Sequence, residues 1–184
     1  MAKKRASNQK INAGGITFQK PAELEIRTQT MDEMTVLHLE NPDLRMEINI
    51  LAGPLLDVIH DATATRISYY PPEGQVMSEN DRNLVGNLFL AGIEGDSAFD
   101  TGSEITPLTD VKGANNAGYP YMERSHLALP DKSVFESTAI VFDTASDHVA
   151  VIGCRGNVGV QDQIVQWKEM IRNDMEFVKK QRVS

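Results

Sequence analysis

The chain has 184 residues, a formal net charge of −8, 41% hydrophobic and 24% charged residues, the balance of one globular domain rather than a disordered chain. No apolar run approaches the ~20 residues of a membrane span, and the basic start Lys3-Lys4-Arg5 lacks the apolar segment of a secretory signal. The single cysteine, Cys154, excludes an intrachain disulfide and a multi-cysteine metal site, and fits a reducing, cytoplasmic setting.

Residues 1–15 read as a basic, flexible arm. Lys3, Lys4, Arg5 and Lys10 stand among polar residues with no acid in the first ten positions, and the segment closes in Gly14-Gly15. It has little apolar surface to offset the cost of ordering. Four cations on a chain of net −8 leave −12 for the rest, so the body repels phosphates and nucleic-acid contact is expected only at the arm.

A single α+β domain is expected over 16–184. Strands are expected at Ile16 to Gln19, Glu23 to Thr28, Thr35 to Glu40 and Leu44 to Leu51. In the third, Val36, His38 and Glu40 alternate with Leu37 and Leu39. In the fourth, Leu44, Met46, Ile48 and Ile50 share one face and Arg45, Glu47 and Asn49 the other. That period of two marks a half-buried strand, and Asn41-Pro42-Asp43 between them supplies turn chemistry for a hairpin. Leu55 to Ala62 fits either a helix begun by Pro54 or a strand. Arg66 to Tyr70 reads as a short strand. Ser78 can accept from amides of a first helical turn, and Leu84, Val85, Leu88, Phe89 and Ile93 make a stripe that stops near Gly92 or Gly95. Residues 95–136, rich in Gly, Asn, Asp and Pro, read as a long irregular loop of the kind used for contacts. Ser137 to Asp143 and His148 to Gly153 suggest a second hairpin. A long amphipathic C-terminal helix is expected from Val160, Ile164, Trp167, Ile171, Met175 and Val178, running to about Gln181. Met170 and Phe177 fall off that stripe and are candidates for the core flank or a contact with another subunit.

Several groups of residues bear on chemistry. Ala98-Phe99-Asp100-Thr101-Gly102-Ser103 resembles the active-site loop of aspartic proteases, over about six residues. That resemblance implies a homodimer of the retroviral type, with Asp100 sharing a proton with its symmetry mate. It also implies roles for Thr101 and Gly102 in the loop, for Val151-Ile152-Gly153 as the downstream strand and for 113–121 as a flap. Against it stand the polar lead-in Gly95-Asp96-Ser97 and the C-terminal helix; the plainer reading is an Asx turn after a helix. Gly153, Arg155, Gly156 and Gly159 lie between a strand and a helix, the context of a phosphate cradle. Too little chain follows for a dinucleotide fold, so the readings there are a small anion site or a plain turn. Cys154 beside Arg155 is a candidate nucleophile or a buried, inert thiol. Asp57, His60 and Asp61 would share a helix face at ligand spacing, or simply a solvated one.

These features favour a domain built as an antiparallel sheet with two or three packed helices. The function expected first is a non-enzymatic structural or interaction subunit of an assembly, of the virion or phage kind, self-associating or bound to other protein subunits through Lys3, Lys4, Arg5, Lys10, Met170 and Phe177. A homodimeric protease on Asp100 and an anion-binding module at Gly153–Gly159 are the alternatives. No metal, cofactor or membrane is called for.

Overall fold

The computed structural model describes residues 7–62, 77–101 and 105–178, with the side chains of 59–62 and 97–101 set aside. Seven strands form one antiparallel sheet in the order β3-β4-β5-β9-β8-β7-β6. These are β3 (Glu25–Met31), β4 (Met34–Asn41), β5 (Met46–Pro54), β6 (Thr106–Ala114), β7 (Pro120–Ala128), β8 (Val134–Phe142) and β9 (His148–Asn157). A smaller sheet, β1-β2-β10, joins β1 (Gln9–Ala13), β2 (Ile16–Lys20) and β10 (Glu176–Phe177). Helices α1 (Leu55–Ala62) and α2 (Glu79–Thr101) cover one face of the large sheet, and α3 (Gln161–Asp174) with the small sheet covers the other. The α+β class and the antiparallel sheet with packed helices are as the sequence implies.

The register explains which side chains go where. Leu37, Leu39, Ile48, Ile50, Ala139, Ala150 and Ile152 share the α3 face, where Ile164, Trp167, Ile171 and Met175 meet them. Val36, Leu51, Val151, Ile140 and Met122 form one transverse row of the opposite face, beneath Val58, Val85 and Phe89. Ser137–Phe142 of β8 and Val149–Ile152 of β9 are buried on both faces, which is why Ser137 to Asp143 and His148 to Gly153 read as apolar runs rather than as alternation.

The two expected hairpins form, β4 with β5 and β8 with β9. The 55–62 segment resolves as helix α1. Ser78 accepts from the Asp81 amide at 3.2 Å, as a helix cap should, but α2 passes Gly92 and Gly95 and reaches Thr101. The strand expected at Arg66 to Tyr70 lies outside the described residues, as do Lys3, Lys4 and Arg5.

Four expectations need correction. Within the arm, Gln9–Ala13 is a strand paired with β2, and Ile11 and Ala13 pack on the core. Gly14 and Gly15 make its turn at φ +61° and +76°, and a side chain on Gly14 would fall 2.7 Å from Thr35 Cβ. The irregular loop at 95–136 is instead the end of α2 followed by the hairpin β6–β7. Periodicity was invisible in β6 because it is an edge strand exposed from Pro107 to Ala114, and a strand with no buried face has no pattern to show. The C-terminal helix stops at Asp174, short of Gln181. Met175 turns extended, and Glu176-Phe177 pair with Thr17 and Ile16. Asn115 in the β6–β7 turn donates to the carbonyls of Arg172 and Met175 at 3.1 and 2.8 Å, so the helix end is closed by a side chain from elsewhere. Phe177 is consequently buried, edge-to-face with Tyr119 at 4.9 Å between ring centres; it belongs to the core.

Candidate functional site

Among the described residues, the helices α1 and α2 leave part of their sheet face open, and the uncovered rows are polar. The strand register aligns one row as Arg27, His38, Asn49, Gly153, Thr138, Arg124 and Asp110. The next row is Glu25, Glu40, Glu47, Arg155, Glu136 and His126. Thr138 and His126 are buried, whereas Arg27, His38, Glu47 and Arg155 are exposed. The open floor therefore lies on β3, β4, β5 and β9.

Its electrostatics are unusual for a sheet. Glu25 stands opposite Glu40, and Glu40 opposite Glu47, so three carboxylates lie side by side across three strands. Like charges in cross-strand positions destabilise a sheet. Cations border the row: Arg27 forms an ion pair with Glu40, and the hydrogen bond that Arg27 donates to that carboxylate raises the Arg27 pKa. Arg155 Nε approaches Glu136 Oε1 at 3.4 Å, and His126 Nε2 lies 2.8 Å from Glu136 Oε2. His38 Nδ1 meets Asn49 Oδ1 at 2.6 Å. Glu47 has no ion pair among the described residues. At the margin of this floor a cleft of about 360 Å³ runs between the β4–β5 turn and β9, lined by Glu40, Pro42, Arg45, Glu47, Arg155 and Asn157. A second cleft, of about 550 Å³, lies at the opposite end of the strands, among Gly15, Glu33, Pro54, Asp147, His148 and Phe177.

On the α3 face a separate charged cluster is sealed from water. Glu123 receives ion-paired hydrogen bonds from Lys168 and Arg172. Lys168 Nζ also donates to Ser137 Oγ at 2.9 Å, and the Arg172 guanidinium sits 4.1 Å from the Tyr121 ring centre. All three charged side chains are at most 7% exposed. With no route for a ligand among the described residues, this cluster positions α3 on the sheet.

The chemical motifs fall differently from their expected contexts. The backbone of Asp100 and Thr101 is helical, in the last turn of α2, whereas an aspartic-protease loop needs a turn fed by a strand; Gly102 lies outside the described residues. Val151-Ile152-Gly153 runs through the middle of β9, and 113–121 is the hairpin turn that Asn115 fastens to α3. Gly153, Arg155 and Gly156 are strand residues between β5 and β8, so their amides serve the ladders rather than wrapping an anion, and Gly159 sits in the single 3₁₀ turn that follows. Gly156 makes a close approach instead: a side chain there would meet Ile164 Cδ1 at 2.6 Å. Cys154 is fully buried, and desolvation pushes its thiol up to about 12, which leaves it protonated and inert. The side chains of His60 and Asp61 are outside the description; among the described residues no cluster of His, Cys, Asp and Glu could hold a metal. Lys10 lies exposed on β1, and Met170 is half-buried on α3, where its sulfur accepts from Asn8 Nδ2 at 3.6 Å.

The open floor went unnoticed as a site in the sequence, although half its signal was there: His38 and Glu40 on one strand and Glu47 and Asn49 on its hairpin partner occupy the polar positions of alternating runs. What was missing is the long-range register that brings Arg155 and Glu136 beside them.

No protein-family model and no curated protein sequence matches the chain. Solved structures do resemble it. Cyanobacterial PsbP from Synechocystis sp. PCC 6803 is 9% identical, with a TM-score of 0.61 over 94% of this chain and 93% of that one. LpqN, involved in cell envelope biogenesis of Mycobacterium tuberculosis, is 7% identical, with a TM-score of 0.58 over 94% and 91%. The Saccharomyces cerevisiae Ran-binding protein Mog1p is 11% identical, with a TM-score of 0.54 over 95% and 97%. Among the described residues no helix is long and apolar enough to cross a membrane. At these identities the likeness is one of fold: the chain has the sheet-and-helix architecture that PsbP, LpqN and Mog1p share.

Proposed function

We propose that this chain is a non-enzymatic interaction subunit, which binds a protein partner on the open half of its helix-bearing sheet face. The observation that carries the reading is the row Glu25, Glu40, Glu47. Placing three carboxylates side by side costs the sheet stability, and that cost is recovered when cationic side chains of a partner settle over them. The partner chemistry is therefore a segment rich in Lys and Arg. The net charge of −12 on the chain beyond its first ten residues, which is the total of −8 less their +4, steers such a segment toward it. Mog1p, which has the same fold, is a Ran-binding protein, so the architecture is one that can serve protein recognition. A cytoplasmic setting belongs to this reading and rests on the lone, unpaired Cys154. The virion or phage form of it has no support from the three neighbours.

The test is affinity capture from extract of the source organism, followed by binding of the purified partner. Wild type should bind in a salt-sensitive manner. The triple change Glu25→Gln, Glu40→Gln, Glu47→Gln should abolish that binding while the melting temperature holds or rises. A partner retained equally by the triple variant would refute the assignment of this face.

A further inference from the structure

The strand β6 closes the large sheet on the side away from the carboxylate row, and its outer edge carries no other described strand. Among the described elements its extensive packing is with its neighbour β7 alone, and Leu108 and Val111 are 42% and 40% exposed. An edge this long and open is a template for pairing with another chain. Natural edges carry charges to discourage such pairing, and β6 does carry two, Asp110 and Lys112.

Those two charges are arranged to admit one partner. Residues directly opposite in an antiparallel pair lie on the same face of the sheet, so a two-fold axis relating two copies of β6 must pass through a residue rather than between residues. An axis at Asp110 sets Asp110 against itself, and an axis at Lys112 sets Lys112 against itself. An axis at Val111 sets Asp110 opposite Lys112 of the second copy, twice by symmetry, with Val111 against Val111 on the other face. The same register places Leu108 opposite Ala114 and Thr109 opposite Gly113. Asp110 already meets Arg124 Nε at 3.3 Å, while Lys112 has no ion pair among the described residues. The other edge strand, β3, offers a lesser match: only an axis at Ile26 sets Glu25 against Arg27, it overlaps three strand residues, and Arg27 is already paired with Glu40.

We propose that two copies of this chain associate through β6, paired antiparallel about a two-fold axis at Val111, to make one continuous sheet across the dimer. The contact is isologous and closes at two copies. It leaves the carboxylate face free, so this pairing and the partner-binding face stand or fall separately.

Sedimentation equilibrium of the full chain tests it. Wild type should reach twice the chain mass as concentration rises. Lys112→Asp and Asp110→Lys should each lose the dimer, with circular dichroism confirming that both are folded. An equimolar mixture of the two variants should regain it, because the mixed pair sets two lysines of one chain opposite two aspartates of the other. Should Asp110→Lys fail to fold beside Arg124, zero-length carboxylate–amine cross-linking of wild type mixed from ¹⁴N and ¹⁵N chains replaces the mixing arm, and Asp110–Lys112 links between light and heavy chains are expected. Wild type monomeric at every concentration, a Lys112→Asp chain that dimerises as well as wild type, assemblies larger than two, or cross-links confined to single chains would each overturn the proposal.

Discussion

Removing Glu123 tests how the α3 layer is held to the sheet. The cluster contains one carboxylate and two cations, so it buries a net charge of +1, with Glu123, Lys168 and Arg172 side chains 7%, 2% and 7% exposed. Glu123→Ala leaves two cations facing each other without a counter-charge. Arg172 keeps the Tyr121 ring and Asn173 as company, but Lys168 keeps only the Ser137 hydroxyl. Breaking a buried pair in this way costs about 3–5 kcal/mol. For a chain of this length each kcal/mol moves the melting temperature by about 2–4 °C, so the loss should be about 6–20 °C. Lys168→Met works in the opposite sense. It leaves Glu123 and Arg172 as a neutral pair and fills the same volume with an apolar chain, so it should cost less than about 1.5 kcal/mol or stabilise. Urea titration reads both, with an unchanged slope showing that the denatured state is the same. If Lys168→Met proves as damaging as Glu123→Ala, or Glu123→Ala lies within about 1 kcal/mol of wild type, the charge accounting is wrong and the cluster is better solvated than its burial indicates.

The remaining expectations concern the sequence motifs. Trp167→Ala should cost about 3–5 kcal/mol by urea titration, because the indole lies in the main core. Gly156→Ala should cost about 1–3 kcal/mol, since its new methyl meets Ile164 and Met46, whereas Gly153→Ala, with nothing closer than 3.9 Å, should be neutral or stabilise by up to about 1 kcal/mol; equal penalties would contradict the strand placement of both. Cys154, with its thiol raised to about 12 from 9.0, should resist iodoacetamide in the native chain at neutral to mildly alkaline pH and react at once in urea. Its folded state holds the proton more tightly than the unfolded one, so its contribution to stability is complete below pH 9.0 and is lost as pH rises toward 12; stability unchanged across that interval would refute the burial of the thiol. Wild type and Asp100→Asn should be equally inert toward unfolded casein at any acidity at which a carboxylate pair could share a proton.

The parts of the fold legible in the sequence are those in which burial writes a period. β4 and β5 each present one face to the core, so Leu37 and Leu39, then Ile48 and Ile50, announce themselves by alternation, and Asn41-Pro42-Asp43 fixes their connection. Ile164, Trp167, Ile171 and Met175 do the same for α3. β6 was lost because neither of its faces is covered among the described residues, and β7 because its α3 face carries Glu123 and Ser125, buried but polar, which a hydropathy pattern reads as solvent-facing. The C-terminal boundary was lost for a different reason. Met175 suits the end of the helical stripe as well as an extended chain, and the choice was made by Asn115, sixty residues away in sequence from Met175.

The candidate site was half legible for the same cause. A hairpin with one apolar face must have a polar one, so the positions of His38, Glu40, Glu47 and Asn49 followed from the alternation that found the hairpin. Polarity alone, though, is what any solvated sheet face shows. The distinguishing feature is that Glu40 faces Glu47 and Glu25 faces Glu40, and this depends on the registers of β3 with β4 and of β4 with β5. A shift of two residues in either would have set Arg27 or Asn49 in those places without moving a single apolar side chain off the core face. Core burial therefore does not dictate the carboxylate row. The turn lengths do, and they select a register that the sheet by itself would disfavour; that is the physical ground for assigning the row to a partner rather than to folding.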